Sequence, residues 1–106
     1  MKVNLKVFLG GCLAAFMCAP AFAQGGADIY KTNCLMCHGA DGLGATPVGK
    51  SLKIVSFKDP SAVKSSNAAL ETIIKNGKNK MPAFAGKLSD AQIGEVVEYI
   101  RTLQKK

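Results

Sequence analysis

The sequence has 106 residues, room for one small domain. Hydrophobic residues make up 48% of it and charged residues 20%, a balance that excludes a disordered or repeat protein. Lys and Arg number 14 against 7 Asp and Glu, a net charge of +7.

The apolar content is uneven along the chain. Lys2 and Lys6 mark a short basic start, residues 7–19 carry no charge, and Pro20 precedes Ala21-Phe22-Ala23. A basic start, an apolar run too short to span a bilayer comfortably and an A-x-A site read as a secretory signal peptide over residues 1–23. An uncleaved N-terminal anchor is the competing reading. Cys12 follows Leu9-Gly10-Gly11, a faint lipoprotein site placed too early for an apolar segment to precede it. Cleavage would leave residues 24–106, 83 residues in which 12 basic groups face 7 acidic ones, a net charge of +5. Cys34 and Cys37 would be the remaining cysteines. Two thiols so close cannot build a framework of long-loop disulfides, and so short a chain needs another staple, such as a metal or covalent cofactor.

Residues 26–33 predict a short helix with Ala27 and Tyr30 on one face. Residues 39–50, with Gly39, Gly42, Gly44, Pro47 and Gly49, predict a loop. Residues 51–57 fit either a short strand or one helical turn. Asp59-Pro60 can cap a brief turn, with Pro60 at its first helical position. Residues 67–76 predict a helix with Leu70, Ile73 and Ile74 inward, stopped by Gly77. Residues 78–87 return to loop around Met81-Pro82. Ser89 and Gln92 then form a capping box, with Leu88 and Ile93 placed to staple it. Ile93, Val96, Val97, Ile100 and Leu103 continue as one apolar stripe.

Chemistry concentrates at Cys34-Leu35-Met36-Cys37-His38. C-x-x-C-H is the attachment signature of c-type haem. One tight turn brings both thiols to the vinyl groups on one porphyrin edge as thioethers, and the adjacent imidazole can bind iron. A thiol–disulfide exchanger would carry C-x-x-C after the strand of a βαβ unit, which this sequence lacks. A structural zinc wants four Cys or His ligands, more than residues 24–106 contain.

The other iron face can be assigned by elimination. His38 is the only histidine; Met1 and Met17 lie in the expected leader; Met36 is pinned between the two cysteines. Met81 remains, 43 residues after His38 and in a polar loop, with core filling as its commoner alternative use.

These residues together resemble a small class I monohaem cytochrome c of the bacterial, cytochrome c6-like kind. The resemblance rests on Cys34-Leu35-Met36-Cys37-His38-Gly39 with Asp41-Gly42, on Ile74-Lys75-Asn76-Gly77 leading into Met81-Pro82-Ala83-Phe84, and on Val96-Val97-Glu98-Tyr99-Ile100. It covers nearly all of residues 24–106. It implies an all-α fold of three to five short helices around one covalently bound haem, with the first and last helices crossing. Gly26 and Tyr30 would mark the first helix, Val96 and Tyr99 their partners on the last. It also implies a proline carbonyl that accepts the second N–H of the ligand histidine. Pro47 is the candidate, with an ordinary turn proline as the alternative.

Lys75, Lys78, Lys80 and Lys87 cluster around the Met81 loop. They read either as a solvated face or as a positive collar that steers an acidic redox partner. Nucleic acid is excluded for an exported chain without aromatic interleaving, and no helix suits membrane insertion of the mature chain. The reading is a monomeric periplasmic single-electron carrier, not an enzyme, with one haem c held by Cys34 and Cys37 and ligated by His38 and Met81. A haem c electron-accepting subunit of a dehydrogenase complex is one alternative. An enzyme or sensor with an open sixth site, should Met81 not bind, is another.

Overall fold

The computed structural model describes residues 21–106, with side chains from residue 25 on. The first 20 residues of the expected leader lie outside the described residues. The described chain is helical: α1 (Ala21–Asn33), α2 (Leu35–His38), α3 (Pro47–Leu52), α4 (Pro60–Lys64), α5 (Asn67–Asn76) and α6 (Asp90–Gln104). Among the described residues no strand forms, only isolated bridges joining Lys78 to Met81 and Ala85 to Leu88.

The structure differs from the sequence reading in two places. Helix α1 begins at Ala21 rather than at residue 26. Residues 39–50 are not loop throughout, because Pro47–Leu52 forms α3 and brings the count of helices to six among the described residues. Thr46 is its N-cap, its hydroxyl accepting from the Gly49 N–H at 2.9 Å, and Pro47 takes the first helical position. Thr46-Pro47 was thus a helix start hidden among glycines. Lys53 ends α3 in the left-handed region with φ 58°, and residues 53–57 run on as neither strand nor helix.

The remaining elements form where the sequence places them. Asp59 caps α4 by accepting from the Ser61 N–H. Ser66 caps α5, which stops at Gly77. Both capping-box bonds of α6 are made: the Gln92 N–H donates to the Ser89 hydroxyl, and the Ser89 N–H to the Gln92 side-chain oxygen.

The core is the inner stripe of α6, Ile93, Val96, Val97, Ile100 and Leu103, packed with Tyr30, Ile74 and Phe84. Each such side chain removed from water contributes about 1.5–3 kcal/mol before entropy is charged against it. Helices α1 and α5 both pack on α6. At Gly26 the approach is so close that an added Cβ would collide with the Glu95 carbonyl and sit 3.4 Å from the Tyr99 Cβ. One turn on, the Tyr30 and Tyr99 rings meet with centroids 5.2 Å apart. The expected pairing of Gly26 and Tyr30 with the last helix is therefore seen.

Candidate functional site

The Cys34–His38 segment is fixed from both sides. The Cys34 N–H donates to the Tyr30 carbonyl at 2.8 Å, extending the ladder of α1 across the break before α2. The His38 N–H then donates to the Cys34 carbonyl at 2.9 Å. Gly39 turns the chain away with φ 83°, and its carbonyl accepts from the Tyr30 hydroxyl at 2.6 Å. From the other side, the Thr46 hydroxyl donates to the carbonyls of Met36 (2.8 Å) and Cys37 (3.1 Å). Gly49 packs so tightly that a Cβ there would strike the carbonyls of Cys37 and Gly44. The segment is thus clasped between α1 and α3.

Cys34, Cys37 and His38 line a cavity of about 590 Å³, and so does Met81 from the loop after α5. That volume lies within the roughly 300–1,000 Å³ of pockets that bury a small molecule or cofactor. Its walls are mainly apolar: Leu70, Ile73 and Ile74 of α5, Phe84 beyond the Met81 loop, and Val96 and Ile100 of α6. Met81 sits in a tight turn, where Lys78 and Met81 exchange backbone hydrogen bonds at 3.1 and 2.9 Å. Asn79 adopts φ 55° in that turn. Gly77, at φ 79°, leaves room for it, since a Cβ would come within 2.8 Å of the Met81 carbonyl. Met36, by contrast, is 75% exposed.

The electrostatics of the motif follow from burial. Desolvation, then the neighbouring Cys37, pushes the Cys34 thiol up to about 11. A redox-exchange cysteine needs the opposite, a thiol that ionises near neutral pH. Burial lowers the His38 imidazole below its usual value, which keeps it neutral and its lone pair free for a metal.

Pro47, the proline that the resemblance singles out, opens α3 as its exposed first residue. His38 Nδ1 is buried and has no protein hydrogen-bond partner.

The lysines divide. Lys78 and Lys80 line the cavity, and Lys53, from the stretch of ambiguous prediction, joins them. Lys75 pairs with Asp90 at 3.1 Å, and Lys87 lies 5.8 Å over the Phe84 ring. Sequence reasoning missed Lys53 because only the left-handed end of α3 brings it to the rim. It also missed Phe57, whose ring stacks on His38 with centroids 4.6 Å apart. No periodic pattern marks Phe57, which lies outside every helix.

Residues 21–100 match the family model described as cytochrome C oxidase, cbb3-type, subunit III. The chain is similar to cytochrome c6 of Picosynechococcus sp., 41% identical over 91 residues that cover 76% of this chain and 75% of the relative. It is 36% identical over 103 residues to cytochrome c6 of Nostoc sp., covering 93% of this chain and 90% of the relative. Among solved structures, the KustC0563 c-type cytochrome superposes with a TM-score of 0.68 at 28% identity, covering 74% of this chain and 96% of that one.

Proposed function

The chain belongs to the small class I cytochromes c, electron carriers that use haem c, and from that membership we propose how its own residues hold and serve the group. Cys34 and Cys37 attach one haem through two thioethers, His38 ligates one iron face and Met81 the other. The observation that carries this reading is that all four side chains line one cavity although Met81 lies 43 residues beyond His38. The group fits the site: the walls are apolar, His38 is held neutral, and both thiols line the same cavity. When bound, the haem supplies one exchangeable electron as its iron alternates between ferric and ferrous states.

The remaining work falls to the protein. With Nδ1 turned into the protein, Nε2 is the nitrogen left for the iron. Val96, Ile100, Ile74 and Phe84 exclude water, and a thioether ligand at Met81 favours the reduced state, giving a relatively high potential. Lys53, Lys78 and Lys80 at the rim would present positive charge to an acidic redox partner. No described helix is long and apolar enough to cross a membrane. Residues 1–23 would direct the chain to the periplasm and be removed, leaving residues 24–106 as a monomeric cytochrome c domain.

The test is the matured protein itself. Expressed in a periplasm able to attach haem, it should begin near Gln24, gain the mass of one haem and keep its colour through acid–acetone extraction. A folded, colourless protein would overturn the reading. The description of the matched family model, an oxidase subunit, supports an alternative in which the chain works inside a complex; co-purification with a larger redox enzyme would favour that instead.

A further inference from the structure

Phe57, Ser61, Ala62 and Ser65 form one wall of the cavity. Phe57 packs against the core, but beyond it no hydrophobic side chain up to Ser66 joins that cluster, and no residue of this stretch is buried. Burial of apolar surface, which fixes α1, α5 and α6 together, therefore does little to place α4.

Polar side chains of α6 hold the wall instead. Arg101 Nε donates to Asn67 Oδ1 at 2.9 Å, and Nη2 donates to the Ser65 carbonyl. Nη1 donates more loosely to the carbonyls of Ala62 (3.4 Å) and Val63 (3.5 Å), and to Gln104 Oε1 at 2.9 Å. Gln104 Nε2 in turn donates to the Phe57 carbonyl at 2.9 Å. The two side chains, joined to each other, thus grip the wall at both ends.

The acceptors suit a guanidinium. Ala62, Val63 and Ser65 lie at the end of α4, where carbonyls lack partners within the helix. The one ion pair among the described residues joins Lys75 to Asp90, so the charge of Arg101 is met by carbonyls and side-chain amides, not by a carboxylate. Only a planar fork reaches acceptors spread over residues 62–67; a lysine ammonium offers a single point.

We propose that Arg101 is the positioning residue for the 57–65 wall of the haem cavity, holding it closed against water and so keeping the potential high. The proposal rests on the reading of this cavity as the haem site. Arg101 does not itself line the cavity, and it acts through the wall. Water admitted to the haem favours the ferric state, which carries one more positive charge, so a loosened wall lowers the potential.

The experiment compares native, Arg101→Lys and Arg101→Gln holoproteins by redox titration and by amide hydrogen exchange over residues 57–67. Both variants should show a lower potential and exchange faster by about tenfold or more in that segment, with low-spin spectrum and far-red band retained. A native potential in Arg101→Lys beside a lowered one in Arg101→Gln would assign the effect to charge and overturn the proposal. Native exchange in both would overturn it too, and fast exchange at an unchanged potential would leave Arg101 a structural staple only. Ile93→Ala, a core change on the same helix, should lower stability and keep the native potential; an equal fall there would also overturn the proposal. If the Arg101 variants give too little holoprotein, Asn67→Ala removes one acceptor, leaves the charge and should move both readouts the same way, native values again overturning the proposal. Failure of the underlying reading shows separately, as a native protein without a haem redox couple.

Discussion

The Tyr30 hydroxyl donates to the Gly39 carbonyl at 2.6 Å, a buried bond that ties the first helix to the residue immediately after His38. Burial first, then Cys34, Tyr99 and Asp41, raises the phenol far above its usual range, so the hydroxyl remains a donor at every working pH. Tyr30→Phe keeps the ring and leaves a buried carbonyl without its partner. It should cost about 1–3 kcal/mol, read as a lower midpoint in denaturant with little change in slope. Native stability in this variant would mean that the bond contributes nothing.

Met81→Ala removes the thioether from the cavity. The variant should lose the weak far-red sulfur-to-ferric band, bind carbon monoxide when reduced at neutral pH, and show a lower potential. Persistence of the far-red band would assign the ligand to another group.

Acid should weaken the fold in a definite window. The folded-state value of His38 lies below 6.5, so above that pH neither the folded nor the unfolded imidazole binds a proton. Below it the unfolded chain takes up a proton that the folded chain refuses, and stability falls as the pH drops. Iron ligation adds to this effect, because the proton and the metal compete for one lone pair. Denaturant unfolding of the holoprotein between about pH 8 and 5 should show stability declining from about pH 6.5 downward. A flat profile across that span would contradict the burial of His38.

The lysines give the sharpest test of docking, since the structure separates rim from pair. Lys53→Glu, Lys78→Glu or Lys80→Glu should slow association with an acidic partner by about tenfold or more at low salt. Lys75→Glu, already neutralised by Asp90, and Lys106→Glu, on the C-terminal tail, should do less. Added salt should remove the differences, because exposed charges are screened beyond roughly 8 Å at physiological ionic strength. Equal losses at all five positions would indicate net charge alone.

Much of this could be read from the sequence because its signals were local. The Ser89–Gln92 box, the stripe of α6 and the stop at Gly77 each depend on residues within a few positions of one another. Gly26 and Tyr30 on the last helix followed from the resemblance, and the Glu95 carbonyl supplies the physical reason for the glycine. Helix α3 escaped because glycine content outweighed the Thr46-Pro47 start; Gly49 is there for close approach to Cys37, not for a flexible loop. Phe57 and Lys53 escaped for a different reason. Both acquire their places from the path of an irregular segment, which carries no period to read.

The walls of the cavity have an order in time as well as in space. Cys34, Cys37 and His38 are synthesised before Leu70, Ile74, Phe84, Val96 and Ile100, which close around them. A growing chain would therefore expose both thiols before α6 is made. Folding of α1 is coupled to α6, its main packing partner and distant from it in sequence. Truncation within α6 would leave the motif displayed and the cavity without a wall, so α6 acts as the latch on an otherwise open cup.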